Sequence, residues 1–228
     1  MPLRSLARRL KLALLGRETR LRRIRAGAAR GLRMQIDPAA KTQRILGLDE
    51  REIQPVFVAC SRWADVLVDV GSSDAYYGLI YRRHNSAGEI HLIDINPAFA
   101  PLQRAHFEEN FPGTPVHCHS RFVGPLDSTD PSVLVLSRDL PLRGRKVLFK
   151  IDVDGWELDI LRSAEGLLPH AECRFIIETH SIALERACAD FLSERGFAVT
   201  IIPNAWWRML IPERRPLEQN RWLSAARR

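Results

Sequence analysis

Strand-like and helix-like patterns alternate along this chain, and that alternation restricts its fold more than any other feature. The apolar runs VLVDV (66–70), EIHLID (89–94), VHCHS (116–120), KVLFKID (146–152) and CRFIIET (173–179) are strand-like, and a helix-like segment follows each of them except VHCHS. Strands that alternate with helices of this length form βαβ units, whose parallel sheet is covered on both faces. The sequence therefore predicts a doubly wound, mostly parallel α/β sheet.

The end of the chain departs from this alternation. The runs FAVTIIP (197–203) and WWRMLI (206–211) are too close together for a crossover helix, so we expect an antiparallel final hairpin with a tight turn around Asn204. GLRMQID (31–37) predicts a short lead-in strand, and residues 132–137 a further strand. Helices are predicted over 50–63, 74–83, 98–110, 155–167 and 182–195.

Positive charge is concentrated at the start of the chain. The formal net charge is +7, whereas residues 1–33 hold eleven Arg/Lys and one acid, which is +10 and leaves −3 for the rest. With 228 residues and 46% hydrophobic content, the chain is long enough for one large core. We therefore divide it into a basic N-terminal arm with the lead-in strand (1–45) and one large domain (46–228).

Leu3, Leu6, Leu10 and Leu14 give the arm a helical apolar spacing with Arg and Lys between them. Such a helix packs on its own domain, or it lies on an anionic membrane surface. Nucleic acid is the least favoured partner, because the arm has no aromatic interleaving and no known nucleic-acid module.

The four cysteines are far apart and form no CxxC pair, which is typical of reduced thiols in a cytoplasmic protein. No apolar run approaches the roughly 20 residues of a membrane span, and the run Leu12–Leu15 is too short for a signal-peptide core. We expect a cytoplasmic protein, with peripheral contact at the inner membrane face as an option for the arm.

The loop DVGSSDAYYG (69–78) follows an apolar strand and opens a helix, where ligands bind in doubly wound sheets. Gly71 allows a sharp turn, and the small residues Ser72, Ser73 and Ala75 keep the approach open. The spacing is not G-x-G-x-x-G, and the Asp69 carboxylate suits a cationic ligand such as the amino group of S-adenosylmethionine. The alternative is a tight turn that needs one glycine.

A second acid, Asp94, ends the next strand 23 residues after Gly71. An acid at this distance accepts hydrogen bonds from ribose hydroxyls. We count Asp94 and the adjacent Ile95 as cofactor-binding residues. The alternative for Asp94 is a cap on the helix that begins near Pro97.

These segments together resemble the FkbM family of S-adenosylmethionine-dependent methyltransferases. The family's DVGAN-x-G loop, E-P-x-P strand end and K-I-D-V-E-G-x-E block read here DVGSSDA (69–75), DINP (94–97) and KIDVDGWE (150–157). FIIETH (175–180) and GLDERE (47–52) are similar to two further family segments. The departures are Ser73 and Ala75 in the loop, and Asp in place of Glu at 94 and 154. The resemblance implies a class I methyltransferase (Rossmann-like) fold, S-adenosyl-L-methionine as cofactor, and O-methylation of sugars or related natural products.

Methyl transfer to a hydroxyl needs a group that takes the proton. Asp152 ends the fourth strand, and Glu178 and His180 end the fifth and alternate onto one side. These three are the catalytic candidates, with His180 or Asp152 as base. One alternative is that Asp152, alone or with Glu178, binds Mg²⁺; another is pure positioning. We assign no other metal-binding residue.

Asp154 and Glu157 have the D-x-x-E spacing of a capping box, which predicts a helix-initiating pair and leaves Asp152 as the functional carboxylate. His117 and His119 share a strand face, and we interpret them as an ordinary hydrogen-bonding pair. Lys150 is expected to reach solvent or a neighbouring acid. Trp156 is expected in the core or pocket wall, and it is the best candidate to stack on a substrate ring.

The sequence thus predicts an O-methyltransferase acting on a small-molecule, glycan or glycolipid-like acceptor. Two alternatives remain: a nicotinamide-dependent oxidoreductase, which the missing G-x-G-x-x-G disfavours, and a non-catalytic scaffold whose arm docks on membranes.

Overall fold

The computed structural model describes residue 16 and residues 18–205 and 220–227. The described strands are β1 (Arg20–Arg23), β2 (Arg33–Ile36), β3 (Val66–Val70), β4 (Glu89–Ile93), β5 (His117–His119), β6 (Phe122–Val123), β7 (Val133–Leu134), β8 (Lys146–Ile151), β9 (Glu172–Thr179), β10 (Phe197–Ile202) and β11 (Arg221–Arg227). The described helices are α1 (Thr42–Leu46), α2 (Gln54–Trp63), α3 (Tyr76–His84), α4 (Phe99–Asn110), α5 (Leu136–Asp139), α6 (Glu157–Ala164) and α7 (Ile182–Glu194), and a 3₁₀ turn (Glu165–Leu167) follows α6.

The main sheet has seven strands in the order β10-β11-β9-β8-β3-β4-β5. Strands β5, β4, β3, β8 and β9 are parallel, whereas β11 runs antiparallel to both β9 and β10. All five residues of β3 are buried, as expected for a strand in the middle of a sheet that helices cover on both sides. The predicted doubly wound sheet with an antiparallel final hairpin is confirmed.

The second strand of the final hairpin is formed by a later segment of the chain than the one predicted. Within the described part of the chain, β10 pairs with Arg221–Arg227, where Ile202 lies opposite Trp222. The strand predicted at 206–211 lies outside the described residues, as does the predicted helix of the arm. The end of the predicted arm does form structure, because Arg20–Arg23 pairs antiparallel with the confirmed lead-in strand β2.

Two predicted elements start or extend differently. The helix predicted from residue 50 begins at Gln54, with proline in its first turn, and Glu50 has a positive φ of 44° that interrupts any earlier helix. The strand predicted over 132–137 is reduced to Val133–Leu134, because Leu136–Asp139 forms the short helix α5.

A hydrophobic core lies on each face of the sheet. On one face Phe149 and Phe175 stack at a centroid distance of 5.0 Å, close to α6 and α7. On the other, Phe57 of α2 contacts Tyr77 of α3 edge-to-face at 4.6 Å, and Met34 of β2 is fully buried in the same cluster. These helices fix the carboxyl ends of β3, β4, β8 and β9 side by side, and the predicted site residues follow those ends.

Candidate active site

The turn after β3 accepts only glycine at its first position. Gly71 has a φ of +77°, and a Cβ added there would lie 1.8 Å from the backbone oxygen of Asp152. The Asp152 amide in turn donates to the Val70 carbonyl at 3.0 Å. The loop after β3 and the acidic end of β8 are therefore in direct backbone contact.

Asp94 is held by backbone amides from two sides. The Ser73 amide donates to its Oδ2 at 2.9 Å, and the Asn96 amide donates to its Oδ1 at 2.9 Å. The following helix begins at Phe99 with Ala98 at its N-cap. Asp94 therefore does not cap that helix, and each of its oxygens keeps a lone pair for a further donor.

A cavity of about 570 Å³ opens at these strand ends, within the range of small-molecule sites. Four of the seven predicted cofactor-binding residues line it, namely Gly71, Ser73, Asp94 and Ile95. The other three, Asp69, Ser72 and Ala75, are buried beneath it. Ala75 starts α3 with a φ of 68°, the left-handed conformation that glycine adopts more readily.

The cavity wall also contains residues that the sequence patterns did not single out, among them Lys41, Arg44 and Phe122. Both cations bind the carboxylate of buried Asp74, Lys41 at 2.7 Å and Arg44 at 2.6 Å. No local motif marks them, because these ion pairs join segments about thirty residues apart.

Aromatic and apolar side chains form the outer rim. Trp156 lines the cavity, is 52% exposed, and meets Phe122 edge-to-face at a centroid distance of 5.2 Å. Ile95 is 69% exposed beside them. The expectation that Trp156 belongs to the pocket wall is confirmed, and its exposed face is free of the core.

The three predicted catalytic residues lie together. One ligand atom from each of Asp152, Glu178 and His180 can be chosen so that all lie within 4.8 Å of one another. The Nε2 atom of His180 is 3.5 Å from Glu178 Oε2 and 3.8 Å from Asp152 Oδ1. Of these residues only Asp152 lines the cavity, with 22% of its side chain exposed.

Lys150 connects this cluster to Asp69 of β3. Its buried Nζ lies 3.1 Å from Asp152 Oδ2 and 3.7 Å from Asp69 Oδ1, which confirms the expected contact with a neighbouring acid. Burial opposes ionisation, but Lys150 outweighs it and holds the pKa of Asp152 well below its usual range. For Asp69 burial dominates and raises the pKa to about 6.

The predicted capping box is wrong. Helix α6 begins at Glu157 behind an N-cap residue, Trp156, that makes no side-chain cap hydrogen bond. The Glu157 side chain is completely buried, and its Oε1 lies 2.5 Å from His180 Nδ1. Asp154 instead points outward, with 71% of its side chain exposed and Oδ1 3.5 Å from His180 Nε2.

Several buried carboxylates have shifted pKa values. Burial and the Asp152 carboxylate raise the pKa of Glu178 to about 9. Burial lowers the pKa of His180, but the hydrogen bond to Glu157 and the nearby Glu178 carboxylate raise it by more. The pKa of His180 is therefore raised to about 10. Glu50, which no motif singled out as catalytic, is partly exposed with a buried Oε2, and desolvation together with Asp49 and Asp152 raises its pKa to about 7.

The paired histidines of β5 lie elsewhere. His119 Nε2 is 3.0 Å from His91 Nδ1, and His91 Nε2 is 2.9 Å from Glu89 Oε1. His117 is half exposed and its ring stacks on His91 at 4.8 Å. The expected ordinary hydrogen bond is present for His119, whose partner is His91, whereas His117 stacks on His91 and lies 3.6 Å from Glu89 Oε1.

The sequence matches no protein-family model and no curated protein. Solved structures of similar fold include precorrin-6y C5,15-methyltransferase from Geobacter metallireducens, with a TM-score of 0.52, 14% identity, and coverage of 78% of this chain and 88% of that one. An S-adenosylmethionine-dependent O-methyltransferase from Thermotoga maritima has a TM-score of 0.51 at 12% identity, covering 76% and 64%. A Streptococcus mutans protein in complex with S-adenosylhomocysteine has a TM-score of 0.51 at 10% identity, covering 75% and 96%.

At these identities the likeness establishes the fold and does not single out the FkbM family. No helix in residues 18–205 or 220–227 combines the length and apolarity that a bilayer crossing demands. The strand order, the antiparallel final hairpin and these neighbours together show that the chain has the class I fold of S-adenosylmethionine-dependent methyltransferases.

Proposed function

We propose that this protein is an S-adenosylmethionine-dependent O-methyltransferase of the FkbM type, acting on a hydroxyl of a sugar, glycolipid or related natural product. The contact between Gly71 and Asp152 carries the proposal, because it puts the cofactor loop and a cavity-lining carboxylate in one cleft. A methyl donor held by the loop would therefore lie beside a group that can take a proton.

The residues present fit this cofactor. Asp94 has lone pairs left for ribose hydroxyls, and Ile95 and Phe122 offer apolar surface beside it. Four carboxylates act on one buried Lys150, namely Asp152, Asp69, Glu50 and Glu178. A cationic ligand beside these carboxyl groups favours their ionised forms, and bound S-adenosylmethionine supplies a methyl group on a sulfonium cation.

In the transfer, Asp152 is the candidate that touches the acceptor. Its side chain is 22% exposed in the cavity, whereas those of Glu178 and His180 are 1% and 4% exposed behind it. The acceptor oxygen bonds to the methyl carbon, the carbon–sulfur pair stays on sulfur, and Asp152 takes the hydroxyl proton. His180 and Glu178 hold the Asp152 carboxylate from behind.

The exposed ring of Trp156 supports a sugar-like acceptor, since an amphipathic aromatic face at a cavity rim can cover the apolar face of a sugar ring.

The basic arm favours an acceptor near an anionic membrane surface, where each Lys or Arg adds about 1 kcal/mol to membrane binding. Co-sedimentation of the full chain with anionic and neutral vesicles tests that part. Equal recovery with both would remove the membrane from the proposal.

Calorimetry with S-adenosylhomocysteine tests the proposed cofactor. We expect the wild type to bind and Asp94→Ala to bind at least tenfold more weakly, with His117→Asn as a control away from the cavity. A tritiated-methyl screen of cell-envelope glycan and small-molecule extracts then identifies the acceptor. Absence of binding by the wild type, or equal affinity of Asp94→Ala, would overturn the proposal.

A further inference from the structure

The Nε2 atom of His180 is buried, and within the described part of the chain it has no hydrogen-bond partner. It faces three carboxylate oxygens: Glu178 Oε2 and Asp154 Oδ1 at 3.5 Å, and Asp152 Oδ1 at 3.8 Å. A buried imidazole nitrogen that three carboxylates surround is a candidate ligand for a cation shared with them.

The spacing suits ligands that share one ion. Protein nitrogen and oxygen ligands lie roughly 2.0–2.2 Å from a bound zinc ion, so neighbouring ligand atoms in a tetrahedral site are about 3.3–3.6 Å apart. The distances from His180 Nε2 to Glu178 and Asp154 fall in that range, and the distance to Asp152 is slightly longer. Small side-chain adjustments would close the site around a cation.

Neighbouring side chains orient two of the candidate ligand atoms, Nε2 of His180 and Oδ1 of Asp152. The other ring nitrogen of His180, Nδ1, is bound to Oε1 of the fully buried Glu157, the carboxylate–histidine arrangement that typically supports a metal-binding imidazole. Lys150 contacts Oδ2 of Asp152, which leaves Oδ1 turned toward His180. The candidate ligand atoms of His180 and Asp152 are thus each oriented by a contact on the far side of their own side chain.

We propose that Asp152, Glu178 and His180 bind a divalent transition-metal ion such as Mn²⁺ or Zn²⁺, with Asp154 at the open side of the site. Two carboxylates and one imidazole suit these ions. The Mg²⁺ considered from the sequence is a poorer match, because it prefers oxygen ligands and retains several waters.

This inference rests on the proposed function and changes the role of Asp152 within it when the ion is bound. The open side faces the cavity, where an acceptor hydroxyl would coordinate the ion and become more acidic. Asp152 would then serve as a ligand, and the hydroxyl proton would leave to exposed Asp154. The acceptor oxygen would still form its bond to the methyl carbon as the carbon–sulfur pair moves to sulfur.

Metal binding can be measured without turnover. Chelator-treated full-length protein is titrated with Mn²⁺ while electron paramagnetic resonance follows the free ion, and with Zn²⁺ and Mg²⁺ by calorimetry. We expect one Mn²⁺ or Zn²⁺ per chain and weaker Mg²⁺ binding. Glu178→Gln, nearly isosteric, should lower the affinity at least tenfold, and Glu157→Gln by about 10–100-fold. His117→Asn should leave it unchanged, since that histidine lies at the edge strand β5.

Thermal melts of the variants confirm that each is folded before its affinity is compared. If wild-type protein binds neither Mn²⁺ nor Zn²⁺, or Glu178→Gln binds them as tightly, the metal site is refuted. Calorimetry with S-adenosylhomocysteine on the metal-free protein separates the two proposals. Cofactor binding without metal binding removes only the metal site, whereas metal binding without cofactor binding removes the methyltransferase.

Discussion

The Oε1 atom of Glu157 lies 2.5 Å from Nδ1 of His180 and joins the first residue of α6 to the end of β9. The pair is buried, so the imidazole is held in one orientation with Nε2 toward Asp152 and Glu178. We predict that Glu157→Gln lowers the pKa of His180 by at least one unit, because the amide removes the negative charge that stabilises the imidazolium. Proton NMR titration of His180 measures it. An unchanged pKa would show that Glu157 does not control the ring.

A second prediction follows from the close approach of the Gly71 backbone to the Asp152 carbonyl oxygen. Gly71→Ala should be less stable than Gly113→Ala by about 1–3 kcal/mol, the usual cost of overpacking. Both glycines have φ near +71° to +77°, but a Cβ at Gly113 meets nothing within 4 Å, whereas one at Gly71 meets the Asp152 carbonyl. Urea unfolding of the two variants gives the comparison. Equal stabilities would mean that the two strand ends separate freely.

A pH dependence follows from Asp69. Burial raises its pKa to about 6, with Lys150 opposing and Asp152 and Asp94 adding to the rise. An acid with a raised pKa supports folding fully below its unfolded value, about 3.9, and loses that contribution as the pH rises through about 6. We therefore expect Asp69→Asn to gain about 2 kcal/mol of stability relative to the wild type as the pH rises from 4.5 to 7. Melting temperatures across this range check it, and a constant difference would contradict the shift.

Substitution of Asp152 should lower the rate of methyl transfer while leaving the affinity for the cofactor almost unchanged. Asp152→Asn keeps the shape of the side chain but removes the carboxylate that takes the proton or, with an ion bound, coordinates that ion. We therefore predict S-adenosylhomocysteine affinity within about threefold of wild type and a kcat lower by about 10²–10⁴. Methyl-transfer assays with the acceptor found by screening provide the rate. Full activity in this variant would show that another group takes the proton.

Trp156 should affect the acceptor and not the cofactor. Its ring is half exposed at the cavity rim, so Trp156→Ala should raise the KM for the acceptor about tenfold, equivalent to about 1.4 kcal/mol, with kcat nearly unchanged. Steady-state kinetics distinguish this from a fall in kcat, which would place Trp156 in the chemistry. Trp156→Phe, which retains an aromatic face, should recover much of the loss.

Residues at strand ends were predictable from sequence, and residues that meet across the fold were not. Asp152, Glu178 and His180 follow two apolar runs that periodicity identifies, so their convergence follows from the parallel sheet. The local spacing between Asp154 and Glu157 predicts a capping box, whereas the partner of Glu157 in the structure is His180, which is 23 residues away. Glu50 reaches the cluster from before α2 in a left-handed conformation that no apolar pattern reveals.

The close approach of Gly71 to the Asp152 carbonyl also bears on how such a protein can change its substrate. The distance between the loop after β3 and Asp152 is set by main-chain contacts at Gly71 and Val70. Substitutions at the cavity rim leave these contacts in place. The rim residues Ile95 and Trp156 are exposed and packed on one side only. In the proposed reaction, rim substitutions would therefore be enough to admit a new acceptor, while the spacing between the loop after β3 and Asp152 stays constant.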